Sequence, residues 1–252
     1  MKKLKIILPK KSGRSKGKIT VRHQGGRQKR FLRKIDFKRN KRDVWGKIES
    51  IEYDPNRKVD VALVIYKDGD RRYILAPEGF KVGSRVIASD MAPLEPGNAL
   101  PLSKIPAGTS IHNIEITPGK GGQIVRGAGS NAVVQGKESD WILVKLPSTE
   151  IRRFKPNAWA TIGQLGNAHL SSVRIRKAGV KRRLGIRPTV RGTAQHPDSH
   201  AHGGGEGRSG VGRKQPRTPY GKKAVGKTRK KQKYSDKLIV ARRKPGKHAK
   251  FK

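Results

Sequence analysis

The sequence of 252 residues contains no cysteine, few aromatic residues and few acidic ones. The absence of cysteine excludes a disulfide framework, a cysteine-ligated zinc or iron–sulfur site and a thiol nucleophile. Aromatic residues make up 5% of the chain, and 18 Asp and Glu stand against 60 Lys and Arg. No apolar run approaches the roughly 20 residues that span a bilayer. We therefore predict no membrane segment and no membrane partner.

The net charge of +42 is concentrated at the two ends of the chain. Residues 1–43 carry +16 and residues 173–252 carry +23, whereas residues 44–117 carry −1 and residues 118–172 carry +4. A compact globule with this charge would repel itself, which indicates a polyanionic partner. Blocks of like charge bury too little apolar area to fold alone. We expect the ends to be disordered or to fold against a counter-charged surface.

The middle of the chain has the pattern of many short β-strands separated by turns. Residues 59–65 alternate with the two-residue period of a half-buried strand, and residues 54–56 and 68–69 are turn signals. Further strands are predicted over 72–76, 82–88, 110–116, 123–126, 131–135, 141–146 and 150–154. The pattern predicts two small β-barrels that join near residue 117. A short helix is predicted over 178–184, with Gly185 as its stop.

Two short motifs match enzyme signatures but lack the required surroundings. Residues 221–228 have the spacing of a phosphate-binding loop, yet neither flank is a core strand or an apolar-faced helix. Residues 13–17 match the nucleophile-elbow pattern, yet basic residues surround Ser15 and no core strand precedes it. We predict that both are basic segments without a catalytic function.

A histidine-rich segment at 196–202, which precedes three glycines, has two interpretations. Its three histidines and Asp198 could bind zinc, but their spacing is irregular and the flanking glycines oppose a rigid cage. Alternatively, the glycines let the backbone approach phosphates or sugars, while the histidines stack on bases or hydrogen-bond to RNA. We favour the RNA-binding interpretation and expect neither a metal ion nor a cofactor.

Mixtures of glycine, arginine and histidine in both ends favour one particular RNA surface over a generic basic tail. Guanidinium groups bind phosphates through two hydrogen bonds, and glycines let the chain enter narrow crevices. The candidate RNA-binding residues are Arg22, His23, Lys29, Arg30, Arg33, Arg174, Arg176, Lys177, Arg182, Arg183, Arg187, Arg191, His202, Gly203, Gly204, Gly205 and Arg208.

Nine stretches, in order along nearly the whole chain, resemble the bacterial-type family of ribosomal protein L2, the second protein of the large ribosomal subunit. They are GKITVRH at 17–23, IDFKR at 35–39, EYDPNR at 52–57, RRYILAP at 71–77, PGNALPL at 96–102, HNIE at 112–115, PGKGGQ at 118–123, GIRPTVRG at 185–192 and HGGGEGR at 202–208. The resemblance implies an oligonucleotide-binding (OB-fold) barrel followed by a Src-homology-three-like β-barrel, with basic extensions that thread into ribosomal RNA. It divides the chain into an extension at 1–43, barrels at 44–117 and 118–195, and a Gly/His-rich extension at 196–252.

The resemblance also implies a function in translation. The chain would be a structural constituent of the large subunit that binds its ribosomal RNA and supports subunit association, transfer-RNA binding and the peptidyl-transferase region. Its partners would be large-subunit ribosomal RNA, small-subunit ribosomal RNA at the subunit interface, transfer RNA indirectly and other ribosomal proteins. The ribosome would be cytoplasmic, although the sequence leaves an organellar one open.

The resemblance places His202 near the peptidyl-transferase region. An alternative function is that His202 acts as the general base of an acyl transfer that forms the peptide bond. A catalytic histidine needs an orienting partner and a positioned oxyanion site, and this chain has no nucleophile in a suitable setting. We therefore expect a non-enzymatic protein in which His202 packs against RNA.

Overall fold

The computed structural model describes residues 4–226 and 232–243, and short strands make up most of the regular structure there. The strands are β1 Lys5–Ile7, β2 Arg14–Ser15, β3 Lys18–Ile19, β4 Phe31–Arg33, β5 Gly46–Glu52, β6 Val61–Tyr66, β7 Arg71–Leu75, β8 Arg85–Val86, β9 Ala99–Pro101, β10 Ser110–His112, β11 Ala132–Glu138, β12 Trp141–Lys145, β13 Ile151–Phe154, β14 Trp159–Ile162 and β15 Ile239–Ala241. Helix α1 spans Ala178–Leu184, and 3-10 turns cover Leu102–Lys104, Ala168–Ser171, Gly192–Ala194 and Tyr234–Leu238. The predicted mainly β fold and short helix are confirmed. None of the helices in these two stretches is long and apolar enough to cross a membrane.

The chain divides into two compact units. The described part of the first unit comprises residues 4–9, 29–174 and 237–243, and that of the second comprises residues 10–28, 175–226 and 232–236. The first unit holds both large sheets, and the second holds α1 and the small hairpin of β2 and β3. Ser15 pairs with Lys18 in that hairpin, so residues 13–17 form no strand–turn–helix elbow.

The first large sheet has the strand order β7–β6–β5–β8, and all neighbouring strands are antiparallel. Its strand β6 departs from the expected half-buried pattern, because Val61, Ala62, Leu63 and Val64 are all buried. Val61 and Leu63 pack with Tyr73, whereas Ala62 and Val64 belong to a separate core cluster. Alternate side chains of a strand point to opposite faces. Both faces of β6 are therefore covered, and the prediction of one exposed face is wrong.

Both turn signals beside this sheet are confirmed. The buried carboxylate of Asp54 accepts hydrogen bonds from the Asn56 amide at 2.9 Å and from Arg57 Nε at 2.7 Å. The Gly69 amide donates to the Tyr66 carbonyl at 2.9 Å, and Gly69 has φ +81°, which a side chain would oppose.

The second large sheet has the order β15–β13–β12–β11–β10–β14–β9. Its core contains Leu100, Leu102, Ile111, Val134 and Phe154, all nearly inaccessible to solvent. The sheet includes β9 and β10, which precede the expected junction at residue 117, and β15, which lies in the expected C-terminal extension. Strand pairing does not show which segments fold independently, so the proposed domain boundaries stay a prediction.

Residues 35–43 link the two large sheets within the first unit. The Asp36 amide donates to the Tyr73 carbonyl at 2.8 Å, and the Phe37 carbonyl accepts from the Gly122 amide at 2.8 Å. The guanidinium of Arg39 is buried, and its Nη1 donates to the Gly97 carbonyl at 3.0 Å. Burial lowers the pKa of Arg39 from its ordinary value. Part of the basic N-terminal charge is therefore used for internal packing.

Candidate nucleic-acid interface

The two basic ends of the chain pair with each other in the second unit, through residues 23–28 and 183–187, which we call the paired extensions. Residues 183–187 precede the extension predicted at 196–252 and fall within the range predicted for the second barrel. Gln24 and Ile186 form an antiparallel bridge. The amides of Gly25 and Gln28 donate to the carbonyls of Gly185 and Arg183 at 2.9 and 2.8 Å, respectively. The Arg187 amide returns a hydrogen bond to the His23 carbonyl at 3.0 Å. Segments more than 150 residues apart in sequence thus form one cationic surface.

Gly185 makes this pairing possible. It ends α1 with φ +94° and its amide donates to the Arg182 carbonyl, which is the usual way a glycine closes a helix. A Cβ on Gly185 would lie 2.8 Å from Cβ of the buried Arg27. Both the backbone conformation and the close approach therefore require glycine. The last turn of α1 carries three cations, which the partial negative charge of a helix C-terminus stabilises.

A cleft of about 630 Å³ opens between the paired segments. Arg14, Arg22, His23 and Arg187 line it together with Gly25 and Gly26, and none of its described lining residues is acidic. The guanidinium of Arg22 also lies 5.6 Å from the ring centre of Tyr220. Arginines bind phosphates through paired hydrogen bonds. The cleft is therefore suited to a polyanionic strand.

The histidine–glycine loop is packed mainly on itself. The Nε2 atom of His202 accepts a hydrogen bond from the Arg217 amide at 2.8 Å, and the His202 amide donates to Nδ1 of His200 at 3.0 Å. A Cβ on Gly203 would lie 2.4 Å from the His196 carbonyl oxygen. Gly203 is thus required by the close packing of the loop. Its predicted contact with RNA stays a prediction.

The zinc interpretation gains nothing from this geometry. The exposed His196 and Asp198 form a pair with Nδ1 and Oδ2 3.2 Å apart. Across residues 4–226 and 232–243, no three His, Asp or Glu side chains are grouped so that they could hold a metal ion.

The other sequence-predicted cations fall into two groups. Most are exposed cations, namely Lys29, Arg174, Arg176, Lys177, Arg183, Arg191 and Arg208. Arg30, Arg33 and Arg182 are half-buried. Arg30 donates to the Pro55 carbonyl at 3.2 Å, and Nη1 of Arg182 is buried with no hydrogen-bond acceptor in the described part of the chain.

Arg33 belongs to an ion-pair network in the first unit. Its Nε donates to Glu52 Oε2 at 2.9 Å, and Lys5 Nζ lies 2.9 Å from the same oxygen, while the Tyr73 hydroxyl donates to Oε1 at 2.8 Å. Burial opposes ionisation of Glu52, but the hydrogen bonds from Lys5, Tyr73 and Arg33 outweigh it, so the pKa of Glu52 lies below its ordinary value. Arg33 therefore has a structural role in the protein, and its contact with RNA stays a prediction.

Sequence reasoning missed Arg14 as part of the cleft and Tyr220 as the ring beside Arg22. Arg14 lies in the β2–β3 hairpin, which the charge pattern did not reveal. Residues 217–223 contain an antiparallel bridge and a turn in which the Gly221 amide donates to Thr218, in place of a phosphate-binding loop. The last two residues of that motif, Lys227 and Thr228, lie outside the described residues.

Two family models match the chain. Residues 1–88 match the family described as Ribosomal Proteins L2, RNA binding N-terminal domain, and residues 95–221 match Ribosomal Proteins L2, C-terminal domain. The two matched domains and the curled sheets agree with an OB-fold barrel followed by a Src-homology-three-like barrel, which confirms the predicted fold class. The two matches divide between residues 88 and 95, within the stretch between the first large sheet and β9.

Proposed function

The chain belongs to the ribosomal protein L2 family, and we propose that its paired extensions anchor it in the RNA that supports subunit association, transfer-RNA binding and the peptidyl-transferase region. As a member of this family, the chain is a structural protein of the large ribosomal subunit that binds ribosomal RNA. The family is an RNA-binding one, and no enzyme family is matched. The finer functions are our proposal.

The observation that carries the proposal is the cationic cleft between the paired extensions. Arg14 and Arg22 converge with Arg187, which comes from a distant part of the sequence, where no carboxylate in the described lining can neutralise them. Each phosphate that they neutralise would release condensed counterions, so affinity should fall by about 0.7–0.9 log units per contact for each log unit of salt. The shape of the cleft would select an irregular RNA feature, because an A-form major groove hides base edges.

The remaining partners rest on family membership together with the exposed cations. We assign the small-subunit ribosomal RNA as a contact at the subunit interface, transfer RNA as an indirect partner, and other ribosomal proteins as neighbours. We assign the ribosome that contains the chain to the cytoplasm. Its location in an organelle is the alternative, which fractionation of the source cells would distinguish.

His202 would have a positioning role near the peptidyl-transferase region. Its Nε2 atom is already occupied by the Arg217 amide, so the nitrogen that a general base would use holds the loop together. This hydrogen bond supports a packing role over the alternative of acyl-transfer catalysis. We expect His202→Gln to preserve peptide-bond formation in subunits that assemble normally. Loss of the chemical step in fully assembled subunits with unchanged RNA structure would restore the catalytic alternative.

The anchoring role is tested by removing two cleft cations. The variant Arg22→Gln/Arg187→Gln should bind large-subunit ribosomal RNA more weakly. Its slope of log affinity against log salt concentration should also be smaller in magnitude by about 1.4–1.8. The matched control is Lys145→Gln/Lys155→Gln, which removes the same charge from two exposed positions on or next to the second large sheet. If both variants bind equally well, and incorporate equally into large subunits, the cleft is not the anchor.

A further inference from the structure

A second cleft lies on the first large sheet and is lined by none of the candidate residues discussed above. Its volume is about 580 Å³, and its lining includes Trp45, Lys47, Ile65, Lys67 and Arg85. All of these residues belong to the first unit. Nothing in the sequence-based prediction or in the proposed function uses them.

Strand register brings these side chains onto one face. Lys47 on β5 pairs with Ile65 on β6 and with Arg85 on β8, so the three residues form a row across neighbouring strands. Opposite residues on adjacent strands have Cβ atoms about 5 Å apart. Trp45 lies just before β5 and Lys67 just after β6, and both line the same cleft. One indole and three cations therefore surround the same cleft.

The cations of this cleft differ from others on the same sheet. Arg71 pairs with Glu49 and Arg72 with Asp70, each at 2.9 Å. In contrast, no carboxylate of the described residues lies within ion-pair distance of Lys47, Lys67 or Arg85, which are all exposed. The cleft therefore presents an uncompensated charge of about +3, which suits an anionic ligand.

The indole adds a requirement that charge alone does not impose. Trp45 is 36% exposed, although a large aromatic side chain gains most from burial. A nucleotide has both an aromatic face for stacking and a phosphate for the cations, whereas an acidic peptide matches only the charge. The volume falls in the range of small-ligand sites, roughly 300–1,000 Å³.

We propose that this cleft binds one unpaired nucleotide of large-subunit ribosomal RNA, with the base stacked on Trp45 and the flanking phosphates held by Lys47, Lys67 and Arg85. The proposal rests on the ribosomal RNA binding of the family and assigns a site within it. It makes the first large sheet a second point of attachment, independent of the paired extensions.

The first test compares the affinity of the full chain for purified large-subunit ribosomal RNA. Trp45→Ala should weaken binding about 10-fold or more, because stacking of a base on an aromatic ring contributes an effect of that order. Trp45→Phe keeps an aromatic face and should recover most of the affinity. Thermal unfolding of both variants checks that the exposed position leaves the fold intact. Equal affinity of the alanine variant and the unchanged chain would rule the site out.

The second test locates the contact by ultraviolet cross-linking of the same complex, followed by mass spectrometry. The peptide that contains Trp45 should carry a nucleotide. The cross-link should be lost in Lys47→Gln/Lys67→Gln/Arg85→Gln and kept in the control Lys104→Gln/Lys145→Gln/Lys155→Gln, which removes three exposed cations elsewhere. If the control loses the cross-link equally, general attraction rather than this cleft brings RNA to Trp45, and the proposal is wrong.

The outcomes separate this site from the family function. If the chain binds ribosomal RNA but Trp45 neither cross-links nor affects affinity, only the site is refuted. If the unchanged chain fails to bind the RNA, the RNA-binding function itself is refuted. If Trp45 is covered in assembled subunits by a neighbouring protein that remains after ribonuclease treatment, the occupant is a protein and the nucleotide proposal is refuted.

Discussion

Replacement of Gly185 by alanine should reveal whether RNA binding requires the paired extensions. At φ +94° an L-residue costs about 1–2 kcal/mol relative to glycine. The new Cβ would also lie 2.8 Å from Cβ of Arg27, below the ordinary contact distance of about 3.5–4.0 Å between carbon atoms. The pairing includes three backbone hydrogen bonds, each with a net contribution of about 0.5–1.5 kcal/mol. The strain is therefore a large part of the pairing free energy.

Two measurements on Gly185→Ala separate the possible states of the free protein. If the extensions pair only on RNA, the strain appears on binding, and affinity for large-subunit ribosomal RNA should fall about 5- to 30-fold. If they are already paired in the free protein, the strain destabilises the pairing in the free protein. Hydrogen exchange at the amides of Gly25 and Gln28 should then accelerate.

The control for Gly185→Ala is Gly179→Ala, inside α1, where a Cβ would meet nothing within 4 Å. This change should stabilise the helix by about 0.5–1 kcal/mol. If Gly185→Ala leaves both the affinity and the exchange rates unchanged, the described pairing does not form in solution.

Two further predictions concern the first unit. Glu52→Gln should destabilise the fold by about 1–3 kcal/mol in thermal unfolding, whereas Glu49→Gln, in a more exposed pair, should cost less than about 1 kcal/mol. The pKa of Glu52 is lowered in the fold, so its contribution to stability is present above its ordinary pKa of 4.5 and is lost as pH falls below that value. If the Glu52→Gln variant and the unchanged chain lost stability equally in acid, the ion-pair network would be contradicted. Burial lowers the pKa of His112 to about 4, so stability should fall as pH drops from 6.5 towards 4, and a proton titration of His112 near pH 6.5 would contradict its burial.

The sequence was sufficient to predict what depends on local pattern. Alternating apolar residues predicted most strands of both large sheets, and Gly185 predicted the end of α1. Strand β14 was missed because its four residues are all buried and show no alternation. The strand predicted over 123–126 is only an isolated bridge at Ile124 in the structure, next to Val125, which has φ +55°. Periodicity does not report such a backbone conformation.

The cleft between the extensions could not be predicted because its pairing is non-local. Gly25 and Gly185 are separated in sequence by residues 29–174 of the first unit, and no residue pattern marks them as partners. Net charge even opposes the pairing, since both segments are polycations. Charge did predict the kind of partner, because Arg22 and Arg187, which line the cleft, were selected as cations in Gly-rich surroundings. The fold decides which of those cations converge and which, like Arg33, are used internally.

The opposition between charge and pairing gives the paired extensions and their RNA complex opposite responses to salt. In the free protein, residues 10–28 contain no Asp or Glu, and residues 175–236 contain only Asp198, Glu206 and Asp236. Repulsion between the two segments is therefore not neutralised internally, and added salt should screen it. We expect hydrogen exchange at the Gly25 and Gln28 amides of the free protein to slow as monovalent salt rises from about 0.05 to 0.5 M. Over the same range, affinity for ribosomal RNA should fall, because each counterion released into a more concentrated salt solution gains less entropy. If salt instead accelerates exchange at both amides, electrostatic attraction must hold the two segments together. The explanation by backbone hydrogen bonds and glycine contacts would then be wrong.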